Sequence, residues 1–156
     1  MLAFVLRRAL EAPRNHHRLG ETQAVGVENI RLGKPLRVLI AENHADLSET
    51  LAQIIDSEPD MHCVGQVASA AAVLPAVQGS GANVLVLDLG LQGGSGFELI
   101  EGLTSRVPQL RIVVFSGLSN DVLAREILHR GAAAFVTKGC DPSVLLGELR
   151  RSSATG

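Results

Sequence analysis

VLVLDLGLQGGSGFELI, running from Val84 to Ile100, holds three structural signals in a row. Asn83 to Asp88 is apolar until the carboxylate at its C-terminal end, which is the pattern of a central strand covered on both faces. A glycine-rich turn follows, and then a helix over about Phe97 to Arg106. Strand, turn and helix in this order form one βα unit, and a chain that repeats the unit builds a parallel sheet.

The unit recurs on both sides. Upstream, Leu36, Val38, Leu39, Ile40 and Ala41 form a first apolar run. Leu47, Leu51, Ile54 and Ile55 then fall on one helical face, which Pro59 closes off. Met61 to Val67 is the second strand, and Ser69 is the expected N-cap of the next helix. Pro75 lies inside that helix and is expected to kink or shorten it, at a cost near 3 kcal/mol if fully interior. Downstream, Leu110 to Phe115 is a fourth strand ending in Ser116. Ser119 or Asn120 caps a helix carrying Leu123, Ile127 and Leu128, and Gly131 stops it. Ala133 to Thr137 makes a short fifth strand. Asp141 and Pro142 then start the last helix at N-cap and N1, ahead of Val144, Leu145, Leu146 and Leu149.

A chain of 156 residues that is 46% hydrophobic suits one folded domain with tails. The expected organisation is a flexible leader over residues 1–35, a folded domain over 36–151 and a short tail over 152–156. His16 and His17, in the polar leader, read as solvated rather than metal-binding. Cys63 and Cys140 form no CxxC and no close pair, so neither a disulfide framework nor a zinc site is expected. The formal net charge of -2 offers no basic field, so the expectation is no direct nucleic acid contact and no membrane surface contact. Arg7 and Arg8 follow the N-terminal apolar run rather than precede it, unlike an export signal, and no apolar run is long enough to span a bilayer. A soluble, cytoplasmic protein is expected. With the chain ending at Gly156, its output is expected to act through protein contacts unless it is a fragment of a longer regulator.

Open parallel sheets place their sites outside the carboxyl ends of the strands. The residues there are Glu42 and Asn43, Asp88, Ser116 and Lys138. A carboxylate nucleophile needs a divalent cation to offset its own charge and that of an incoming phosphoryl group. Glu42 and Asp88 offer oxygens for Mg²⁺, while the Ser116 hydroxyl and Lys138 ammonium suit phosphoryl oxygens.

The segments VLIAENHAD, VLVLDLGLQGGSGFELI, IVVFSG and GAAAFVTK, in this order over about 115 residues, resemble the receiver-domain signatures of bacterial two-component response regulators. The resemblance implies a flavodoxin-like, doubly wound five-stranded parallel sheet of order 2-1-3-4-5 with helices on both faces. It also implies a phosphoprotein of the phosphorelay, a signalling domain rather than an enzyme, phosphorylated by a sensor histidine kinase or phosphotransfer protein. A downstream target or dimer mate would read the fourth helix, fifth strand and fifth helix. Carried onto this chain, the roles are Asp88 as phosphoacceptor, the Gly90 carbonyl as a metal ligand, Ser116 as switch hydroxyl, Phe135 as switch aromatic turning inward, and Lys138 as phosphoryl-binding lysine. The family's usual acidic pair of two aspartates is here Glu42 and Asn43, the latter offering a carbonyl oxygen to the ion. Its prolines beyond the phosphoacceptor and after the lysine are replaced by Gln92 and Gly139. The degenerate acidic pair motivates an alternative, a pseudo-receiver that binds partners without being phosphorylated. An aspartate-nucleophile phosphatase wants a second carboxylate where Gly90 stands.

Overall fold

The computed structural model describes residues 5–7, 33–118 and 120–151, the first three by their backbone alone. Five parallel strands alternate with five helices: β2 (Leu36–Ala41), α1 (Ala45–Asp56), β3 (Met61–Val67), α2 (Ala70–Ser80), β4 (Val84–Leu87), α3 (Gly96–Arg106), β5 (Arg111–Ser116), α4 (Asp121–His129), β6 (Ala134–Thr137) and α5 (Pro142–Arg151). Across the sheet the parallel strands run β6-β5-β4-β2-β3, which is 2-1-3-4-5 when the parallel strands alone are counted. One strand precedes them: β1 (Val5–Arg7) pairs antiparallel with β6, with Leu6 opposite Phe135. Among the described residues the sheet therefore has six strands. Three residues of the expected leader belong to it, because the outer edge of β6 offers unpaired backbone groups to any extended segment that reaches them. His16, His17, Ser119 and the tail lie outside the described residues.

Strand residues alternate between two cores. Val38, Ile40, Val84, Val86, Val113, Phe115 and Val136 face α1 and α5, meeting Leu51, Ile55, Leu145 and Leu149. Leu39, Ala41, Leu85, Leu87, Ile112, Val114 and Phe135 face the opposite side, meeting Val73 and Val77 of α2, Ile100 and Leu103 of α3, and Ala124 and Ile127 of α4. Burial on both faces is why β4 reads as an unbroken apolar run and β6 as one up to Thr137.

Local signals mostly hold. Asn120 caps α4, its side chain accepting from Val122 N at 2.8 Å and Leu123 N at 3.3 Å. Asp141 Oδ1 accepts from Ser143 N at 2.9 Å at the start of α5. Ser69 occupies the N-cap of α2 but makes no side-chain cap bond. Pro75 lies inside α2 without ending it, and the helix spans 11 residues in all. The helix tolerates it because both of its buried residues, Val73 and Val77, anchor it to the sheet on either side of the proline.

Gly131 follows α4 at φ +119°, and a Cβ there would sit 2.6 Å from Thr104 Oγ1 and 2.9 Å from Thr104 Cγ2. The hydroxyl is already committed to the Ile100 carbonyl at 2.8 Å. Gly131→Ala is therefore expected to destabilise the fold by about 2–3 kcal/mol in chemical denaturation, combining backbone strain with a steric clash. A loss below about 1 kcal/mol would mean that the turn relaxes freely.

Candidate functional site

Four strands end side by side and bring their next residues into one crevice. Asp88 follows β4, with its backbone N–H on the Ala41 carbonyl at 2.9 Å. Lys138 follows β6, with its N–H on the Ser116 carbonyl at 2.7 Å. Backbone bonds of this kind place the side chains before any of them interacts.

The crevice is built around an ammonium group. Lys138 Nζ lies 2.7 Å from Glu42 Oε2 and 3.3 Å from Asp88 Oδ2, with both carboxylates buried. Two carboxylates this close would repel strongly without a cation between them, and Lys138 supplies one. The same Nζ stands 6.0 Å from the centroid of the Phe115 ring. Glu42 Oε1 accepts from the His44 backbone N–H at 3.0 Å and meets His44 Nδ1 at 2.9 Å. Burial pushes the Glu42 carboxyl up, but Lys138 and the two His44 groups outweigh it and hold the group below its ordinary range.

Asp88 Oδ1 accepts from the Gly90 N–H at 3.0 Å, leaving Oδ2 toward Lys138. In the amide orientation that satisfies its neighbours, Asn43 Nδ2 lies 3.0 Å from Asp88 Oδ2 and 3.2 Å from Glu42 Oε1. Asn43 thus acts as a donor to the carboxylates here, whereas the expected metal role needs its carbonyl oxygen. Ser116 is buried, and its Oγ accepts from Leu118 N at 3.2 Å.

The structure brings together Glu42, Asn43, Asp88 and Lys138, with Ser116 at the end of the neighbouring strand. Phe135 stands apart from this group, its ring fully buried in the second core. Sequence reasoning passed over His44, although its place two residues after Glu42, at the N-cap of α1, is a usable signal. Cys63 and Cys140 are both free thiols outside the crevice.

Two buried carboxylates that hold a cation already, the ammonium of Lys138, form a donor set that fits a divalent ion. Glu42 and Asp88 come together with His44 in a group able to hold one. No helix among the described residues is long and apolar enough to cross a membrane.

The comparisons agree with this geometry. Residues 38–150 match the family model described as the response regulator receiver domain. The DNA-binding transcriptional activator DevR/DosR of Mycobacterium tuberculosis is 28% identical over 103 residues, 66% of this chain and 48% of that protein. The response regulator domain of Thermotoga maritima CheB superposes with a TM-score of 0.73 at 24% identity, covering 79% of this chain and 99% of that one. RcsB of Salmonella enterica, solved bound to the promoter rprA in the presence of phosphomimetic BeF₃⁻, superposes with a TM-score of 0.70 at 23% identity, covering 75% of this chain and 67% of that one.

The chain spans about half the length of DevR/DosR. That relative is DNA-binding and RcsB is seen on a promoter, which overturns the expectation that nucleic acid has no place among the partners. The physical error lay in reading net charge too widely, since the charge of a shared half does not report on contacts made by the remainder of such a protein. Relatives of this kind lend no support to the pseudo-receiver alternative, and the family is one of signalling domains rather than enzymes. With its sheet order, its strand-end carboxylates and its lysine all in place, the chain belongs to the response regulator receiver domain family of two-component signalling.

Proposed function

We propose that Asp88 accepts a phosphoryl group from a sensor histidine kinase or phosphotransfer protein. The observation that carries this reading is the buried Asp88 carboxylate at the end of the central strand, with the Lys138 ammonium 3.3 Å from its Oδ2. Oδ2, the oxygen that faces the Lys138 ammonium, is the attacking atom, and Oδ1 stays on the Gly90 N–H. A bond forms from Oδ2 to phosphorus as the phosphorus–nitrogen bond of the donor phosphohistidine breaks, and the electron pair leaves on the imidazole nitrogen, which takes up a proton. Lys138 exchanges part of its pairing with Asp88 for a phosphoryl oxygen, so the new charge arrives beside an existing ammonium. Glu42, Asp88, the carbonyl oxygen of a rotated Asn43 and the Gly90 carbonyl would hold Mg²⁺, which supplies charge neutralisation of the phosphoryl oxygens.

Phosphorylation takes the Asp88 side chain from about -1 toward -2. Ser116 then exchanges its bond with Leu118 N for a phosphoryl oxygen, releasing the loop that carries the exposed Leu118 toward the exposed Val122 at the start of α4. Phe135, paired with Val114 on β5, is the packed floor against which that loop settles. A dimer mate or target reads the change at α4, β6 and α5. By likeness to DevR/DosR and RcsB, the state of this domain controls a regulator that acts on DNA. The reading assigns residues 36–151 to the receiver and 152–156 to a tail, takes 1–35 as a leader whose Val5–Arg7 pairs with the receiver's edge, and puts the protein in the cytoplasm.

Acetyl phosphate with Mg²⁺ tests the chemistry by intact mass. Wild type is expected to gain one phosphoryl group that hydroxylamine removes, and Asp88→Asn to gain none. An unlabelled wild type, or equal label on Asp88→Asn, would remove Asp88 from the role.

A further inference from the structure

His44 stands in the crevice without a part in the phosphoryl chemistry. Its Nδ1 lies 2.9 Å from Glu42 Oε1, and one donor atom from each of Glu42, His44 and Asp88 falls within 4.8 Å of the others. The two carboxylates are buried, whereas the imidazole that reaches them is 73% exposed. A cation already occupies the space beside them: Lys138 Nζ touches both carboxylates and stands in for the charge the pair requires. We propose that this crevice takes its divalent cation through the His44 imidazole nitrogen as well as the Glu42 and Asp88 oxygens, and so prefers a first-row transition ion to Mg²⁺.

Oxygen and nitrogen ligands at about 2.0–2.2 Å from a metal lie at most about 4.4 Å apart. The donor atoms already lie within 4.8 Å of one another, close to that limit, and His44 stands at the exposed N-cap of α1. Mg²⁺ demands oxygen donors and keeps its waters, so it gains little from an imidazole. Mn²⁺, Co²⁺ and Zn²⁺ accept nitrogen readily. Asn43 acts in the same direction, since a neutral amide beside Glu42 and Asp88 leaves two carboxylates where a hard ion is better served by more charge. Lys138 moves off the carboxylates when the ion enters, which frees its ammonium for the phosphoryl group. The inference rests on the cation-assisted reading of Asp88 given above.

With no tryptophan or tyrosine in the chain, calorimetry and NMR serve better than fluorescence. Co²⁺ and Mg²⁺ affinities are measured on the full chain with His16→Ala and His17→Ala in place, so that the leader pair cannot bind the ion. Co²⁺ is expected to bind at least about tenfold more tightly than Mg²⁺ and to shift the His44 ring protons paramagnetically. Adding His44→Ala is expected to lower the Co²⁺ to Mg²⁺ affinity ratio about tenfold. His44→Gln, which keeps a polar side chain at the N-cap, is expected to do the same and controls for the fold. An unchanged ratio in both variants, or Co²⁺ binding that survives Glu42→Gln with Asp88→Asn, overturns the proposal. Acetyl phosphate labelling separates the two readings: an unlabelled wild type that still binds Co²⁺ through His44 defeats the phosphoacceptor alone, whereas a labelled Asp88 with no dependence on His44 defeats this inference alone.

Discussion

Lys138→Met is expected to cost the fold on the order of 3 kcal/mol near pH 7, the magnitude found when one partner of a buried ion pair is removed. The substitution keeps the side-chain length but takes the ammonium from between Glu42 Oε2, at 2.7 Å, and Asp88 Oδ2, at 3.3 Å. Two buried carboxylates then face each other with the Asn43 amide, the His44 groups and the Gly90 N–H as the neutral donors around them. The pH dependence identifies the cause. In the wild type, the lowered Glu42 group contributes stability that is present above its unfolded value near 4.5 and is lost as pH falls through the folded value. In the variant, burial without the ammonium favours the protonated acid, so acidification relieves the strain instead of adding to it. The gap between the two proteins should therefore narrow between neutrality and about pH 4 in urea titrations followed by circular dichroism. A gap that stays constant with pH would locate the loss in packing rather than charge. Saturating divalent cation should also restore part of the deficit, because an ion occupying the same carboxylates stabilises the folded state by mass action.

The second large effect is expected at Phe135. Phe135→Ala should lose about 4 kcal/mol, and Phe135→Leu less than half of that, because the ring is fully buried in the second core. Its backbone pairs with Val114 on one side and Leu6 on the other, so the strand carrying it is held from both edges. Phe97 makes a useful contrast, since its ring is half-buried at the start of α3 under the Arg130 guanidinium, 4.8 Å from the ring centroid. Phe97→Ala is expected to cost clearly less than Phe135→Ala in the same urea measurement. Equal losses would show that the second core tolerates a large void beneath β6.

The readable part of this protein is its repeat. Val84–Leu87 could be taken for a central strand because burial on both faces demands an unbroken apolar run, and α1 could be read from Leu47, Leu51, Ile54 and Ile55 because a helix shows one face to the sheet. Both patterns arise from neighbours within a few residues, so the sequence displays them directly. The same holds for the caps at Asn120 and Asp141, whose bonds span two or three residues. Once the strands were placed, parallel-sheet geometry pointed to Glu42, Asp88, Ser116 and Lys138 as strand-end residues.

Sequence by itself determined the alternation of strand and helix and which residues stand at the carboxyl ends, because these depend on periodicity and chain direction. It could not show that Lys138 closes on Glu42, a residue 96 positions earlier. Nor could it show that Asn43 turns its amide nitrogen to the carboxylates, that His44 joins them, that Phe135 is fully buried, or that Val5–Arg7 adds a strand to the edge of β6. Each of those outcomes depends on which groups meet after the sheet has assembled. Charge pairing, amide orientation and edge pairing are chosen by that meeting and leave no periodic mark on the chain.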